Sequence, residues 1–217
     1  LATGPMSLSF AESLQALFAG KESGIEAHKL LIVQEIRLPR TLLCIAVGGI
    51  LGLCGAVMQG LFRNPLADPG IIGVSGGAAL GAALAIVLLA PLGQQLQSLL
   101  GLGLLPLLAF LGGALTTTLV YLLGTREGGT SVTVMLLAGV AITTLSGAVI
   151  GLLTYLADDQ MLRNLSLWQM GTLAAGKPAD VALALFTLAA LLWLFMRDAN
   201  PLNALLRGGG DGRQLGE

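Results

Sequence analysis

RLPRTLLCIAVGGILGLCGAVMQGLFRNPLADPG, residues 37–70, is the stretch that decides the fold. Between Arg40 and Arg63 it runs 22 residues without a charge, enough for a helix to cross the roughly 30 Å hydrocarbon layer of a bilayer. Glycine recurs inside this run, and arginine and proline stand at each end. The pattern predicts a membrane-spanning helix whose glycines suit close packing against other helices.

The composition of the whole chain agrees with this prediction. Of its 217 residues, 55% are hydrophobic and only 11% are charged, whereas soluble domains are about one quarter charged. The net charge is -1 and no run of lysine or arginine occurs, so nothing indicates binding to nucleic acid. We predict an all-α, polytopic helical membrane protein in contact with the lipid bilayer.

About five transmembrane helices are expected. Each apolar stretch is close to the roughly 20 residues that a span needs, and none holds a lysine, arginine, aspartate or glutamate. The counts of lysine and arginine on the two sides are six and five, so the positive-inside rule does not set the orientation. The predicted spans are residues 41–62, 71–90, 104–123, 134–157 and 179–196.

The connectors carry turn and interface signals. Asp68 is a candidate N-cap, with Pro69 at the first helical position. Residues 125–133 (TREGGTSVT) predict a tight polar turn. Residues 158–177 and residues 10–18 are amphipathic, and each predicts a short helix at the membrane interface.

Glycines recur at four-residue spacing inside several spans, which places them on one helix face and predicts close helix packing. The fourth predicted span, residues 134–157, also carries hydroxyls at Thr143, Thr144 and Ser146. They either bond to carbonyls of the preceding turn or form a mildly polar pathway wall. The glycines are Gly48 and Gly52, then Gly73, Gly77 and Gly81, then Gly147 and Gly151.

Signals of catalysis or metal binding do not occur in the sequence. It has no HExxH, GxSxG or Walker A motif, so we expect no catalytic residue and no bound cofactor or metal. Cys44 and Cys54 are about 15 Å apart on a helix, too far for a disulfide, and are predicted to be small buried residues. His28 is the single histidine and is predicted to lie on the surface. Any work that such a bundle does needs energy from another subunit.

Four motifs together are specific enough to indicate a family. They are RLPR at residues 37–40, GAVMQGLFRNPLADPGIIGVSGGAALGA at 55–82, MLLAGVA at 135–141 and LWQMGTL at 167–173. The chain closely resembles the ABC-importer permeases that carry iron chelates, haem and cobalamin across the bacterial inner membrane. The resemblance runs over nearly the whole chain.

This resemblance implies an architecture and partners. Such permeases have ten transmembrane helices per subunit and form dimers, here a homodimer. Two cytoplasmic ATPases bind ATP and Mg, and a periplasmic binding protein delivers the substrate. The chain would then be a fragment, a single incomplete domain covering helices two to six. Residues 1–40 would be a periplasmic lead-in, 41–196 the helical bundle and 197–217 a cytoplasmic coupling segment.

Site residues follow from the same resemblance, position by position. Arg37 and Arg40 match arginines that pair with glutamates of the binding protein; the competing interpretation is that they anchor the helix at the interface. The turn Ser131, Val132 and Thr133 matches a cytoplasmic gate, and Thr143, Thr144 and Ser146 would line the pathway. Gly209 and Gly212 depart from the coupling pattern and weaken a helix there. The matching coupling residues are Gly208, Arg213, Gln214, Leu215 and Gly216.

The cargo is the least constrained prediction. Residues 152–173 and 59–70 look most like haem permeases, while a ferric siderophore or cobalamin stays an alternative. Trp168, Met161 and Met170 either touch a porphyrin or serve as packing or lipid-facing residues. From other classes, a polytopic enzyme with its active site in the missing half and a channel are both open, although filter-like sequences do not occur.

Overall fold

The computed structural model describes residues 8–18, 26–62, 64–65, 67–89, 103–126, 129–174 and 177–199. The chain divides into two compact units. One comprises Leu1–Ala56 and Thr172–Glu217, and the other comprises Val57–Gly171. Helix α3 contributes residues to both units.

The first unit begins with helix α1, Phe10–Phe18. A capping box formed by Ser9 and Glu12 stabilises its N-terminus. The Ser9 backbone N–H donates to Glu12 Oε2 at 2.8 Å, and the Glu12 N–H donates to Ser9 Oγ at 3.1 Å. Ala16 is buried together with Leu8 and with Val33 of the following helix. The predicted helix over residues 10–18 is therefore present.

A long helical segment follows, built from α2 (Ala27–Leu31), a π-helical turn (Ile32–Arg37) and α3 (Leu38–Phe62). Its apolar part, His28–Phe62, is 35 residues long, or about 52 Å. We predicted that the span begins at residue 41 after a lead-in of 40 residues. The helical segment instead begins at Ala27, so part of the predicted lead-in belongs to the same long helix.

The π-turn has an identifiable cause in Pro39. Proline has no N–H to donate to the carbonyl four residues before it, so the regular ladder fails beside it. The Leu38 N–H instead donates to the Val33 carbonyl, five residues earlier. Thr41 Oγ1 donates to the Arg37 carbonyl at 2.8 Å. The backbone around the two arginines is thus a helical turn with modified hydrogen bonding.

The same unit ends with α8, Pro178–Arg197. Asp180 in its first turn accepts the Lys177 backbone N–H at 3.0 Å, which satisfies one otherwise unpaired donor. Gly49 of α3 faces Leu188 of α8, where a Cβ at position 49 would come within 3.0 Å of the leucine side chain. Glycine at this position leaves room for the Leu188 side chain.

In the second unit, the end of α3 is followed by a 3₁₀-helix, Pro69–Ile72. Asp68 caps it as predicted, accepting the Gly70 N–H at 2.6 Å. Gly73 then takes a left-handed conformation with φ of 84°, and α4 (Val74–Val87) starts after it. These two features take up residues 71–73 of the predicted span, and the helix ends at Val87 rather than at residue 90, so α4 has only 14 residues, about 21 Å.

Around α4 pack α5 (Leu104–Gly124), α6 (Val132–Leu156) and α7 (Asp159–Met170). Strands β1 (Thr125–Arg126) and β2 (Gly129–Thr130) form a two-stranded hairpin between α5 and α6. Much of α4 is buried, including Gly77, Gly81 and a run of alanines. It is the central helix of this unit.

We call the contacts of Gly77, Gly81, Gly112 and Gly139 the glycine core. A Cβ at Gly81 would meet the Leu108 carbonyl, and one at Gly112 would meet the Gly77 carbonyl. A Cβ at Gly139 of α6 would meet the backbone of residues 71 and 72. The backbones of α4 and α5 therefore touch with no side chain between them, and so do those of α6 and the 3₁₀-helix.

The predicted glycine faces do not all behave alike. The set Gly73, Gly77 and Gly81 is packed as expected. In the described part of the chain, nothing lies within 4 Å of the Cβ position at the other glycines that we predicted to pack. These open positions are Gly48, Gly52, Gly147 and Gly151.

Four helices are long and apolar enough to cross a membrane, by length and composition. The shorter apolar helix α4 lies within the second predicted span, residues 71–90. Large apolar side chains such as Leu51, Phe110, Leu152 and Phe186 are exposed, as lipid-facing positions require. The prediction of an all-α, polytopic helical membrane protein is confirmed. The four long helices are His28–Phe62, Leu104–Gly124, Val132–Leu156 and Pro178–Arg197.

Candidate docking face, gate turn and pathway residues

The candidate docking residues lie where the π-turn meets α3. Arg37 is the last residue of the π-turn and is half-buried, and Arg40 is exposed one turn later. Residues three apart on a helix project from neighbouring positions on one side. No described carboxylate forms an ion pair with Arg40. The two guanidinium groups can thus present positive charge at one end of a rigid apolar helix.

The candidate gate turn lies between the hairpin that follows α5 and the start of α6. The Ser131 N–H donates to the Gly124 carbonyl at 2.8 Å, and Ser131 Oγ accepts the Val134 N–H at 3.4 Å as the N-cap of α6. Thr125 and Thr130 pair through their hydroxyls at 3.2 Å. Of the three predicted gate residues, Ser131 and Thr133 are exposed and Val132 is half-buried. The predicted tight polar turn is therefore a small hairpin joined to a helix cap.

The three predicted pathway hydroxyls do not share one surface. Ser146 is buried, with 3% of its area exposed. Thr143 lies beside α4, because a Cβ at Gly76 would come within 3.1 Å of Thr143 Cα. Thr144 is exposed, and its Oγ1 donates to the Val140 carbonyl at 2.8 Å. Thr144 thus shows the self-satisfied bond that was the alternative to a pathway role.

The amphipathic helix α7 packs against other helices of the second unit. Leu165 is 4% exposed and forms a buried cluster with residues of α4 and α6, and Trp168 and Met161 pack against it. Met170 is 81% exposed. Of the three residues weighed for contact with a porphyrin, Met161 and Trp168 are therefore packing residues.

The histidine and the two cysteines do not form a metal site or a disulfide in the described part of the chain. Among the described residues, no group of three histidine, cysteine, aspartate or glutamate side chains could hold a metal. His28 Nε2 lies 3.2 Å from Glu26 Oε2 at an exposed position. Both cysteines are free, and Cys44 is exposed and Cys54 half-buried. The prediction that both cysteines are buried was wrong, because Cys44 lies on an outer face of α3.

The coupling residues Gly208, Arg213, Gln214, Leu215 and Gly216 lie outside the described residues.

Sequence reasoning missed two features that the structure contains. One is the π-turn before Arg40, for which Pro39 was the available signal. The other is the attachment of α1 through Glu12, for which the S-x-x-E pattern at residues 9–12 was the signal.

Comparison with known families identifies the chain. A sequence profile of the FecCD transport family matches residues 1–217. The chain belongs to the FecCD transport family. This FecCD protein is 42% identical over 185 residues to the hemin transport system permease protein HmuU of Yersinia pestis, which covers 84% of the chain and 53% of HmuU.

Two further relatives support the assignment. The FecCD protein is 39% identical over 201 residues to the cobalamin import system permease protein BtuC of Halobacterium salinarum, covering 93% of the chain and 52% of BtuC. A solved structure described as a metal-chelate type ABC transporter in an inward-facing conformation matches with a TM-score of 0.72 and 29% identity. That match covers 95% of this chain and 64% of the other. The chain thus spans about half the length of these two curated relatives.

Proposed function

We propose that the protein is the permease subunit of a binding-protein-dependent ABC importer that moves haem or another ferric chelate across the bacterial inner membrane. The observation that carries this proposal is the match of the whole chain to the FecCD transport family. The four long apolar helices supply the membrane-spanning part. No catalytic role is assigned to the chain, and energy comes from ATP hydrolysed with Mg on a partner subunit.

The proposed assembly contains a second permease subunit, two cytoplasmic ATPases and a periplasmic binding protein. In this arrangement Arg37 and Arg40 face the periplasm and the hairpin before α6 faces the cytoplasm. A pair of arginines one helical turn apart suits docking, because guanidinium groups bind carboxylates through charge-assisted, two-pronged hydrogen bonds. The helical turn that carries both arginines fixes their spacing, which lowers the entropy cost of binding.

The gate and pathway roles are part of the same proposal. The Ser131–Gly124 bond and the paired threonines make the hairpin a short, stiff link at the start of α6. Val132 and Thr133 are the first residues of α6, so a movement of that helix would move the proposed gate. Residues 205–216 would couple the permease to the ATPase.

Haem is the favoured cargo because the chain is 42% identical to the hemin permease HmuU and 39% identical to the cobalamin permease BtuC. A ferric siderophore or cobalamin is the alternative within the same class. A polytopic membrane enzyme is the alternative from another class, and the described residues hold no metal-ligand cluster that would favour it.

Uptake into vesicles tests the proposal. The protein is reconstituted with its ATPase and binding protein, and accumulation of haem, a ferric siderophore and cobalamin is measured with and without ATP. We expect ATP-dependent accumulation that needs the binding protein and is greatest for haem. Accumulation of one of the other two compounds would correct the cargo. Failure to accumulate any of the three with all subunits present would overturn the proposed function.

A further inference from the structure

The C-terminal end of α8 carries a tryptophan and an arginine one helical turn apart. Arg197 Cζ lies 5.7 Å from the centre of the Trp193 ring, which is within the range of a cation–π contact. The exposed fractions are 63% for Trp193 and 68% for the Arg197 side chain. The two side chains therefore form a pair on an outer face of the helix.

The positive charge of Arg197 is weakly neutralised within the described part of the chain. Arg197 Nε lies 3.9 Å from Asp198 Oδ1, at the outer limit of an ion pair, and no oxygen of the described residues accepts a hydrogen bond from the guanidinium. A guanidinium carries five N–H donors in one plane. An arginine that contacts a ring can therefore bind a second, anionic partner through these donors.

The length of α8 places Arg197 at the edge of the hydrocarbon layer. The charge-free part of this helix, residues 181–196, is about 24 Å long, whereas the hydrocarbon layer is about 30 Å thick. Asp180 stands at the opposite end of the same run. Sliding the helix to move Arg197 outward would carry Asp180 inward, so both charges lie close to the boundaries of the layer.

An arginine at this depth needs a negatively charged partner. A charged side chain within the membrane is costly, and the cost falls when the side chain reaches the headgroups or the bilayer thins around it. Lipid phosphates are the anions at this boundary, and a guanidinium binds phosphate through two parallel hydrogen bonds. Tryptophan also favours the boundary, because its ring has an apolar body and one polar N–H.

We propose that Trp193 and Arg197 form a binding site for a membrane phospholipid. The guanidinium binds the lipid phosphate, and the indole contacts the first carbons of the acyl chains. A phospholipid is the partner because it places a negative charge and an apolar chain side by side at the membrane boundary. The bound lipid holds the C-terminal end of α8 at a fixed depth. The proposal rests on the membrane span of α8 and is independent of cargo and of ATP hydrolysis.

Quenching of Trp193 by brominated lipid tests this site. The full chain has two tryptophans, so Trp168→Phe leaves Trp193 as the single reporter. This parent protein is purified in a maltoside detergent, which contains no phosphate, and is titrated with brominated phosphatidylglycerol. Brominated diacylglycerol has the same acyl chains without the phosphate. Arg197→Gln removes the proposed ligand, and Arg163→Gln is the matched control, because it removes the same charge from an exposed position of α7.

The measured quantity is the lipid mole fraction that gives half of the maximal quenching. We expect this value to be several-fold lower for phosphatidylglycerol than for diacylglycerol in the parent protein and in Arg163→Gln. In Arg197→Gln the two lipids should give the same value. Equal values for the two lipids in the parent protein would overturn the proposal, as would an unchanged preference in Arg197→Gln. Absence of quenching by either lipid would also overturn it, because protein would then cover the pair.

Two measurements on the parent protein need no further variant. Salt at about 1 M screens exposed charges, so the half-quenching value for phosphatidylglycerol should rise toward that for diacylglycerol. A value that does not respond to salt would overturn the role of the guanidinium charge. Inorganic phosphate, added at the concentration of the lipid, should leave quenching by phosphatidylglycerol unchanged. Displacement of the lipid by inorganic phosphate would show a site for free phosphate and would overturn the assignment to phospholipid.

Discussion

The glycine core and the N-terminal cap, which comprises α1, α2 and the π-turn, are held together by opposite means. In the glycine core, the backbone of α4 touches that of α5, and the backbone of α6 touches that of the 3₁₀-helix, where side chains are missing. In the N-terminal cap, an ion pair, a side chain bonded to a backbone carbonyl and a small apolar cluster join α1 to the long helix. Both regions lie in one helical chain, yet only the second depends on groups that pH and salt can alter.

The difference teaches where each kind of packing is useful. Lipid offers no hydrophobic drive for helix association, so close backbone contact is what holds spans together. Outside the hydrocarbon, water competes for polar groups, and exposed ion pairs contribute little. We therefore expect the glycine core to be rigid and intolerant of added atoms, and the N-terminal cap to be adjustable.

The largest expected effect comes from adding one methyl group to the glycine core. In Gly81→Ala, the new Cβ would overlap the Leu108 carbonyl, which is backbone and cannot rotate away. We expect the free energy of unfolding to fall by about 3 kcal/mol or more, at the upper end for overpacking. Unfolding of the purified protein by a denaturing detergent, followed by circular dichroism, measures this change.

Gly151→Ala is the matched control for Gly81→Ala. Nothing lies within 4 Å of the Cβ position at Gly151, and alanine has a helix propensity about 1 kcal/mol better than glycine. Stability should be unchanged or slightly higher. Equal losses in the two variants would contradict the distinction between packed and open glycines.

A smaller effect is expected where glycine is needed for its conformation. Gly73 and Gly171 both have positive φ, at 84° and 70°. A Cβ at Gly73 would also lie 2.9 Å from Thr116 Cγ2, whereas nothing is near Gly171. We expect Gly171→Ala, at φ 70° and ψ 158°, to lower the free energy of unfolding by about 1–3 kcal/mol, and Gly73→Ala to lower it further. The same detergent titration compares the two variants. If Gly171→Ala destabilises the protein as much as Gly73→Ala, the loss of stability comes from the backbone conformation alone and not from the contact with Thr116.

The smallest expected effect is a pH dependence confined to the N-terminal cap. Hydrogen bonds from the Ser9 backbone and side chain, followed by the Lys29 contact, lower the pKa of Glu12 from 4.5 to about 2. A carboxyl group with a lowered folded-state pKa stabilises the fold above its unfolded pKa, and that stabilisation is lost as pH falls. Attachment of α1 should therefore be constant above about pH 4.5 and weaken from there toward pH 2.

Hydrogen exchange of residues 10–18, corrected for intrinsic exchange rates, measures this attachment. The Glu12→Gln variant should lose the pH dependence, because glutamine does not titrate, while amides of α6 should be unaffected in both proteins. A wild-type pH dependence that persists in Glu12→Gln would assign it to another group.

Much of the fold was predictable because lipid restricts what a sequence can do. Uncharged runs of about 20 residues located the four long helices, and Asp68 and the polar residues 125–133 located a cap and a turn. The lengths of two helices were not predictable. The left-handed Gly73 shortens α4, and the π-turn joins residues before Arg37 to the span.

The glycine pattern shows the limit of sequence reasoning most clearly. Gly77 and Gly81 have the same four-residue spacing as Gly147 and Gly151, but only the first pair meets another backbone. Spacing fixes which helix face a residue occupies and says nothing about which neighbour lies there. For the same reason, Thr144 and Ser146 could not be separated until the position of α4 was known.

The docking role of the arginine pair is tested most directly by the affinity of the binding protein for the reconstituted permease. Arg37→Glu combined with Arg40→Glu reverses both charges, and Arg126→Glu on the exposed hairpin strand is the matched control. We predict that the double variant inserts normally and binds at least roughly 30-fold more weakly, about 2 kcal/mol, while the control binds like the wild type. Unchanged affinity in a correctly inserted double variant would contradict the assignment of this end of the long helix as the docking face.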